Sequence, residues 1–386
     1  MLSAKPPAAL LPVYATMPVR PVAGRGSWLI DEDGRKWLDA YGGHAVASSG
    51  HSHPRVVDAI AQQAATLLFY STAVRLPQRE TLAESLVAHC PAPLARVFFC
   101  NSGAEANENA LNLARRATGR QQIVTLQGGW HGRTAATLAL CDGARYEQGA
   151  TRAGVELSRR VPFNDMAALD AALDSTVAAV LIEPVQGMAG ARAVSREFLE
   201  AARSLCTRRG AALIFDEVQC GVGRCGAFTA AEVYGVVPDL LTLAKGLGAG
   251  LPIGATIASE AITSEVSVGD LGSTFGGGPV PCAAALANLK VIEDESLIDN
   301  ARTIGNWLRE RAVAIGLPRP DGLGLLIGVR LPQPAAQIQS LLFEKRILTG
   351  TSSDPYVMRW MPPLSFSISE AQLLIDSLQE VLNARA

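Results

Sequence analysis

Short runs that are apolar at nearly every position punctuate the middle of the chain. They alternate with stretches whose apolar residues recur every three or four positions. Val97–Cys100, Ile123–Leu126, Val177–Glu183, Ala212–Asp216, Leu240–Ala244 and Ile253–Ala258 read as strands, and Ala104–Ala117, Met166–Leu173, Arg196–Arg209 and Pro279–Ile292 as helices. A strand apolar on both faces must be covered on both faces, and strands alternating with helices build a parallel sheet. Ser27–Leu38 differs: two apolar stretches flank Asp33-Gly34, the signature of a hairpin. Beyond about Leu297, amphipathic helices over Ile298–Ile315, Gln333–Glu344 and Glu370–Asn383 mix with short strands such as Leu325–Leu331. The pattern predicts an α/β chain with a large domain and a smaller α+β domain.

The 386 residues and 48% hydrophobic content are enough for both. A net charge of -2 without a basic block points away from nucleic acid and anionic membranes, and no apolar run reaches the length of a membrane span. The seven cysteines are odd in number and irregularly spaced, which suits free thiols in a reducing, cytoplasmic setting better than a disulfide framework. Met1–Pro7 shows no leader pattern. His51 and His53 could begin a metal site, but no third ligand follows at suitable spacing, so a turn before Pro54 is expected and no metal.

The chemistry centres on Lys245, which ends the apolar run Leu240–Ala244 and is followed by Gly246 and Gly248. Burial disfavours an ammonium, so such an amine becomes a nucleophile able to form a Schiff base. Asp216 closes another apolar strand, where a carboxylate points into the crevice at the strand's carboxyl end and can keep a pyridine nitrogen protonated. Gln219 follows it within reach of a ring oxygen. Ser102 with Glu105 forms a capping-box pattern, and Gly103 and Ala104 leave the first helical amides bare, an anion site. Trp130 offers a flat face for stacking and Arg133 a fork for a carboxylate. The glycine-rich loop Gly272–Gly278, with Ser273 and Thr274, suits further phosphate contacts. Gly221–Gly226 matches a dinucleotide-binding glycine pattern, but neither a helix opening at the glycines nor a correctly placed acidic residue accompanies it.

Taken together, Gly50–Pro54, Phe98–Glu108, His131–Thr134, Ile182–Gly187, Phe215–Gln219, Leu243–Gly246 and Gly322–Gly328 resemble the class III, fold-type-I aminotransferases, closest to the acetylornithine aminotransferase group. The resemblance covers nearly the whole chain. It implies a mostly parallel seven-stranded sheet in a large cofactor-binding domain, 61–275, and a second unit from 1–60 with 276–386. It implies pyridoxal 5'-phosphate held by Lys245, with Asp216 on the ring nitrogen, Gln219 near the phenolic oxygen, Trp130 on the ring face, and Ser102, Gly103 and Ala104 on the phosphate. It places Thr274 on the phosphate of the neighbouring subunit of a homodimer whose active sites lie at the interface. Arg133, Arg359 and Glu183 are implied as substrate-binding residues. The implied reaction moves the terminal amine of an N-acetylornithine-like compound to a 2-oxo acid, 2-oxoglutarate. Met188 stands where the family has a glutamate beside the second arginine, and Gly278 and Leu271 also depart. Methionine cannot accept a charge-assisted hydrogen bond, so Arg359 is expected to stay available, shifting donor choice toward succinylornithine, 4-aminobutyrate or another ω-amine. A mutase, racemase or decarboxylase on the same scaffold, and a nicotinamide-dependent oxidoreductase using Gly221–Gly226, are the competing readings.

Overall fold

The computed structural model describes residues 9–384; the expectation made for Met1–Pro7 lies outside the described residues. Its centre is a seven-stranded sheet in the spatial order Leu94–Cys100, Gly254–Ser259, Leu240–Leu243, Ala212–Asp216, Val177–Ile182, Gln122–Leu126, Arg159–Val161. Every residue of Val177–Ile182 and Ala212–Asp216 is buried, as strands covered on both faces require. The helices Gly103–Thr118 and Arg196–Arg209 lie against these strands and end on Gly119 and Gly210 in the left-handed conformation.

The sheet is parallel except at one strand. Gly254–Ser259 runs antiparallel to both Leu240–Leu243 and Leu94–Cys100. A parallel return needs a crossover of a dozen or more residues, usually carrying a helix. The chain from Ala244 to Ile253 offers only one 3-10 turn, Lys245–Gly248, and so comes straight back. The same shortness lifts Lys245 off the strand: the strand ends at Leu243, and Lys245 sits in the turn at φ 41°. Arg159–Val161 is an edge strand with two arginines in three residues, which hides it from an apolar-run reading.

The expected hairpin forms, with Trp28–Asp31 antiparallel to Lys36–Asp39. Pro21–Arg25 joins one side, and Ile347–Leu348 adds in parallel on the other, tying the chain's two ends into one sheet. A second four-stranded sheet runs Asp321–Leu323, Leu326–Arg330, Val357–Trp360, Gly350–Thr351. Helices Pro54–Thr66 and Pro77–His89, each opened by proline at its start, pack on the long helix Pro279–Asp294. Among the described residues no helix is long and apolar enough to cross a membrane.

In the second sheet Arg359 is paired with Gly328 on one side and Gly350 on the other. Both glycines are needed for close approach. A Cβ on Gly328 would come 1.7 Å from the carbonyl oxygen of Gly190, and one on Gly350 would come 2.2 Å from the Tyr41 ring. Neither obstacle is a flexible side-chain end. Gly328→Ala is therefore expected to lower stability by about 1–3 kcal/mol, the usual cost of overpacking. A urea-denaturation midpoint equal to that of the parent chain would refute this.

Candidate active site

At the carboxyl ends of the parallel strands lies a cavity of about 560 Å³. Its walls include Ser102, Gly103, Ala104, Trp130, Arg133, Glu183, Asp216, Gln219 and Lys245, so the fold brings together nine of the residues singled out from sequence. Thr274 and Arg359 stand outside that wall: Thr274 is exposed, and Arg359 is 2% exposed behind it. A larger cavity of about 820 Å³, walled by Arg96, Glu260 and Val268 among others, contains none of these groups.

The floor is organised by Asp216. Its Oδ2 accepts from Asn107 Nδ2 at 2.7 Å and lies 2.8 Å from His131 Nδ1; its Oδ1 accepts from the Val218 amide at 3.1 Å. Facing a carboxylate oxygen, Nδ1 carries the His131 proton. Asn107 also donates to the His131 carbonyl, and accepts from the Thr242 hydroxyl of the next strand. All four side chains are at most 3% exposed. Asn107 and His131 were not singled out as site groups from sequence. Both lie inside motifs that were, Phe98–Glu108 and His131–Thr134, but nothing in a linear pattern shows that they converge.

Lys245 faces the same cavity from the turn. Burial lowers its pKa, with Asp216 and Glu183 acting in the opposite sense and Arg359 adding to the lowering. At the far wall the helix Gly103–Thr118 begins: Ser102 Oγ accepts from the Glu105 amide at 3.2 Å. The capping box closes differently from expectation, because the Glu105 carboxylate takes the amide of Asn101 instead of that of Ser102. The amides of Gly103 and Ala104 have no partner within the helix and lie at the cavity wall. Glycine is required at 103, since a Cβ there would meet Val218 at 2.6 Å.

Gln219 and Glu183 close the opposite side. Gln219 Oε1 is buried without a hydrogen-bond partner among the described residues, and Gly187 is bare where a Cβ would overlap it at 1.5 Å. Glu183 accepts from the Trp130 amide at 2.7 Å and the Gly187 amide at 3.2 Å. Burial pushes its carboxyl up to about 7; the neighbouring Asp216 charge acts in the same direction, against His131 and the two amides. Trp130 stands edge-on to Tyr146 at 4.9 Å between ring centroids, and the Arg133 guanidinium lies over the Trp130 ring at 4.9 Å. Arg133 is exposed and held by no ion pair among the described residues, whereas Arg359 is more occupied than expected. Arg359 donates to the carbonyls of Thr351 (2.7 Å) and Gly187 (3.3 Å) and to the Tyr41 hydroxyl (3.5 Å), all neutral oxygens.

The Gly221–Gly226 loop offers no dinucleotide cradle. It packs on the second sheet: a Cβ on Gly324 would lie 2.3 Å from the Arg224 carbonyl, and buried Arg224 donates to Leu325 and Pro362 carbonyls. His51 and His53 face separate carboxylates, Asp39 at 2.7 Å and Glu295 at 3.0 Å. No group of His, Cys, Asp and Glu that could hold a metal occurs among the described residues.

Lys245, Asp216 and a helix start with bare amides thus face one cavity. The fold matches solved transaminases: an ornithine aminotransferase from Toxoplasma gondii superposes with a TM-score of 0.91 at 29% identity, covering 97% of this chain and 93% of that one. An acetylornithine aminotransferase from Elizabethkingia anophelis does so at 0.85 and 28%, over 97% and 96%. The chain belongs to the class-III aminotransferases, whose family model, "Aminotransferase class-III", matches residues 12–382. Curated relatives include the acetylornithine aminotransferase of Methanocaldococcus jannaschii, 42% identical over 96% of this chain and 95% of that protein. That of Mycolicibacterium smegmatis is 41% identical over 98% and 97%. The family implies pyridoxal phosphate as cofactor.

Because the fold raises the Glu183 pKa from 4.5 to about 7, the folded state holds a proton that the unfolded chain releases at lower pH. Stability due to this group therefore falls as pH rises between about 4.5 and about 7, by on the order of 3 kcal/mol. Glu183→Gln should flatten that part of the pH profile. Equal slopes for the two proteins in denaturation at pH 5 and pH 7.5 would contradict the assignment.

Proposed function

We propose that the chain transfers the terminal amino group of an N-acylated diamino acid, of the N-acetylornithine type, to 2-oxoglutarate, giving a semialdehyde and glutamate. One observation carries the reading: Lys245 and Asp216 face one cavity with the bare helix start Gly103–Ala104 on its wall. The names of the relatives favour the acylated donor. The packed Gly221–Gly226 loop speaks against a nicotinamide enzyme.

The residues fit pyridoxal phosphate. The Gly103 and Ala104 amides with the Ser102 region suit a phosphate, Asp216 suits a pyridinium nitrogen, and the unpartnered Gln219 Oε1 suits a protonated ring oxygen. When bound, the cofactor supplies an electron sink that makes the proton next to the substrate nitrogen labile. The chain's own groups do the rest. Asp216 cannot turn away, because three donors fix its oxygens. Lys245, its ammonium form disfavoured by burial, would hold the cofactor covalently through its amine, and that amine, once displaced by the substrate's own, would remove and return a proton on the substrate carbon. Arg133, exposed to the cavity, grips a substrate carboxylate, and Arg359 serves the carboxylate of the dicarboxylic acceptor from behind Met188. Trp130 covers one ring face.

The same reading gives Thr274 its place. It is exposed beside Phe275, which is 62% exposed and packs on Phe69 at 5.0 Å next to exposed Leu68 and Tyr70. We assign this apolar patch to a second copy of the chain, so that Thr274 reaches the partner's phosphate site. The division at 61–275 and the cytoplasmic setting, supported by seven free cysteines, belong to the same proposal.

Lys245→Ala should lose covalent cofactor retention after borohydride treatment and lose turnover by more than about 10³-fold, leaving the dimer intact. A turning-over variant would refute the role of Lys245. A screen of N-acetylornithine, N-succinylornithine, 4-aminobutyrate and ornithine against 2-oxoglutarate should rank an acylated donor first. Absence of glutamate formation with every donor would overturn the reaction itself. Phe275→Asp should shift the chain toward monomer in analytical ultracentrifugation and reduce activity in parallel; a fully dimeric variant would remove the patch from the interface.

A further inference from the structure

Residues 42–45 form one turn in the left-handed region, with φ of 58°, 55°, 67° and 66° at Gly42, Gly43, His44 and Ala45. Glycine adopts it freely, but histidine and alanine are strained there by about 1–2 kcal/mol per residue. Strain of this kind concentrates at functional positions. The turn puts His44 on the wall of the cavity that holds Lys245 and Met188.

The polarity of its hydrogen bonds can be worked out. His44 Nδ1 lies 2.6 Å from the Tyr41 hydroxyl, which itself accepts from Arg359 Nη2. Arg359 has protons only to give, so the Tyr41 oxygen is an acceptor toward it, and its own proton is free to go to Nδ1. Burial raises the Tyr41 pKa, which keeps that proton in place. Burial, together with the charges of Arg359 and Lys245, lowers the His44 pKa, so the ring is neutral. A neutral ring that accepts at Nδ1 carries its proton on Nε2, and Nε2 makes no hydrogen bond among the described residues.

This end of the site therefore offers donors. Arg359, which donates to Tyr41, is a cation, His44 presents N–H, and Met188 on the wall supplies no strong acceptor. Of the two carboxylates on the cavity wall, Glu183 already accepts two backbone amides and Asp216 is met by Asn107, His131 and the Val218 amide. We propose that His44 is a specificity-determining residue whose Nε2–H donates to the acyl carbonyl of the amino donor, in a donor-rich subsite that disfavours a free ammonium at the same point. The inference rests on the aminotransferase reading above and names the feature of the substrate that this chain selects.

N-acetylornithine and ornithine test it, because they share the transferred amine and the carboxylate and differ only in whether the other nitrogen is acylated or charged. The parent enzyme should favour N-acetylornithine in kcat/KM with 2-oxoglutarate as acceptor. His44→Gly, which the left-handed backbone accepts without strain, should reduce that preference about tenfold, the worth of one hydrogen bond, chiefly through KM for the acylated donor. His44→Gln, which restores an N–H, should recover part of it. Tyr41→Phe should lower it as well, since Nδ1 then lacks its proton source. A preference unchanged in His44→Gly and Tyr41→Phe, with both still active, overturns the role of His44 and leaves the aminotransferase reading intact. A parent enzyme that transfers no amino group from either compound overturns the reading itself.

Discussion

Burying Asp216 is the constraint on which the rest of this site depends. A carboxylate 3% exposed at the end of a strand is costly unless each oxygen is met, and three elements meet it. Asn107 comes from the helix that starts at Gly103, His131 from the loop after Gln122–Leu126, and the Val218 amide from the chain just beyond. Asn107 is itself held by Thr242 on the strand that leads to Lys245. The bonds that make the carboxylate tolerable thus fix the helix against the sheet, and with it the direction in which bare amides face the cavity. Losing any one of them would leave a buried group unpaired, which costs more than the bond itself contributes.

The remainder of the cavity is graded by charge. Its floor carries Asp216 and the partly protonated Glu183, while the end toward Arg359 carries that guanidinium and N–H donors. Arg359 makes no ion pair among the described residues; three neutral oxygens hold it instead. Where a glutamate at 188 would form a charged latch, methionine leaves the guanidinium ordered and still positive, which is a different basis for choosing a substrate. The two glycines beside Arg359, 328 and 350, let Gly190 and Tyr41 close on it and make that order possible.

Much of the large sheet could be read from the chain. Ala212–Asp216 and Arg196–Arg209 match to the residue, because a fully apolar strand and a helix between Ser195 and Gly210 leave few alternatives. Helices Pro54–Thr66 and Pro77–His89 were harder: the second buries only Leu82 and Leu86, too few to set a period. The direction of Gly254–Ser259 was invisible, since strand residues look alike in either sense and only the length of the connection decides. Ser102, Asp216 and Lys245 were legible because each ends or opens an element. Asn107, His131 and His44 were not, because a polar residue within a motif does not show what it faces.

By itself the sequence determined the alternation of strand and helix, the placing of a lysine, an aspartate and a bare helix start at element ends, and membership of a family through motifs in order. These are local matters of periodicity, capping and residue type. Only the tertiary structure decided that Asn107 and His131 share Asp216, that Thr274 lies outside its own cavity, and that Arg359, Tyr41 and His44 form one chain of hydrogen bonds. Those contacts join residues as far apart as 41 and 359. The last of them arises where the ends of the chain fold back toward each other, and polarity across such a gap is set by geometry that no local pattern encodes.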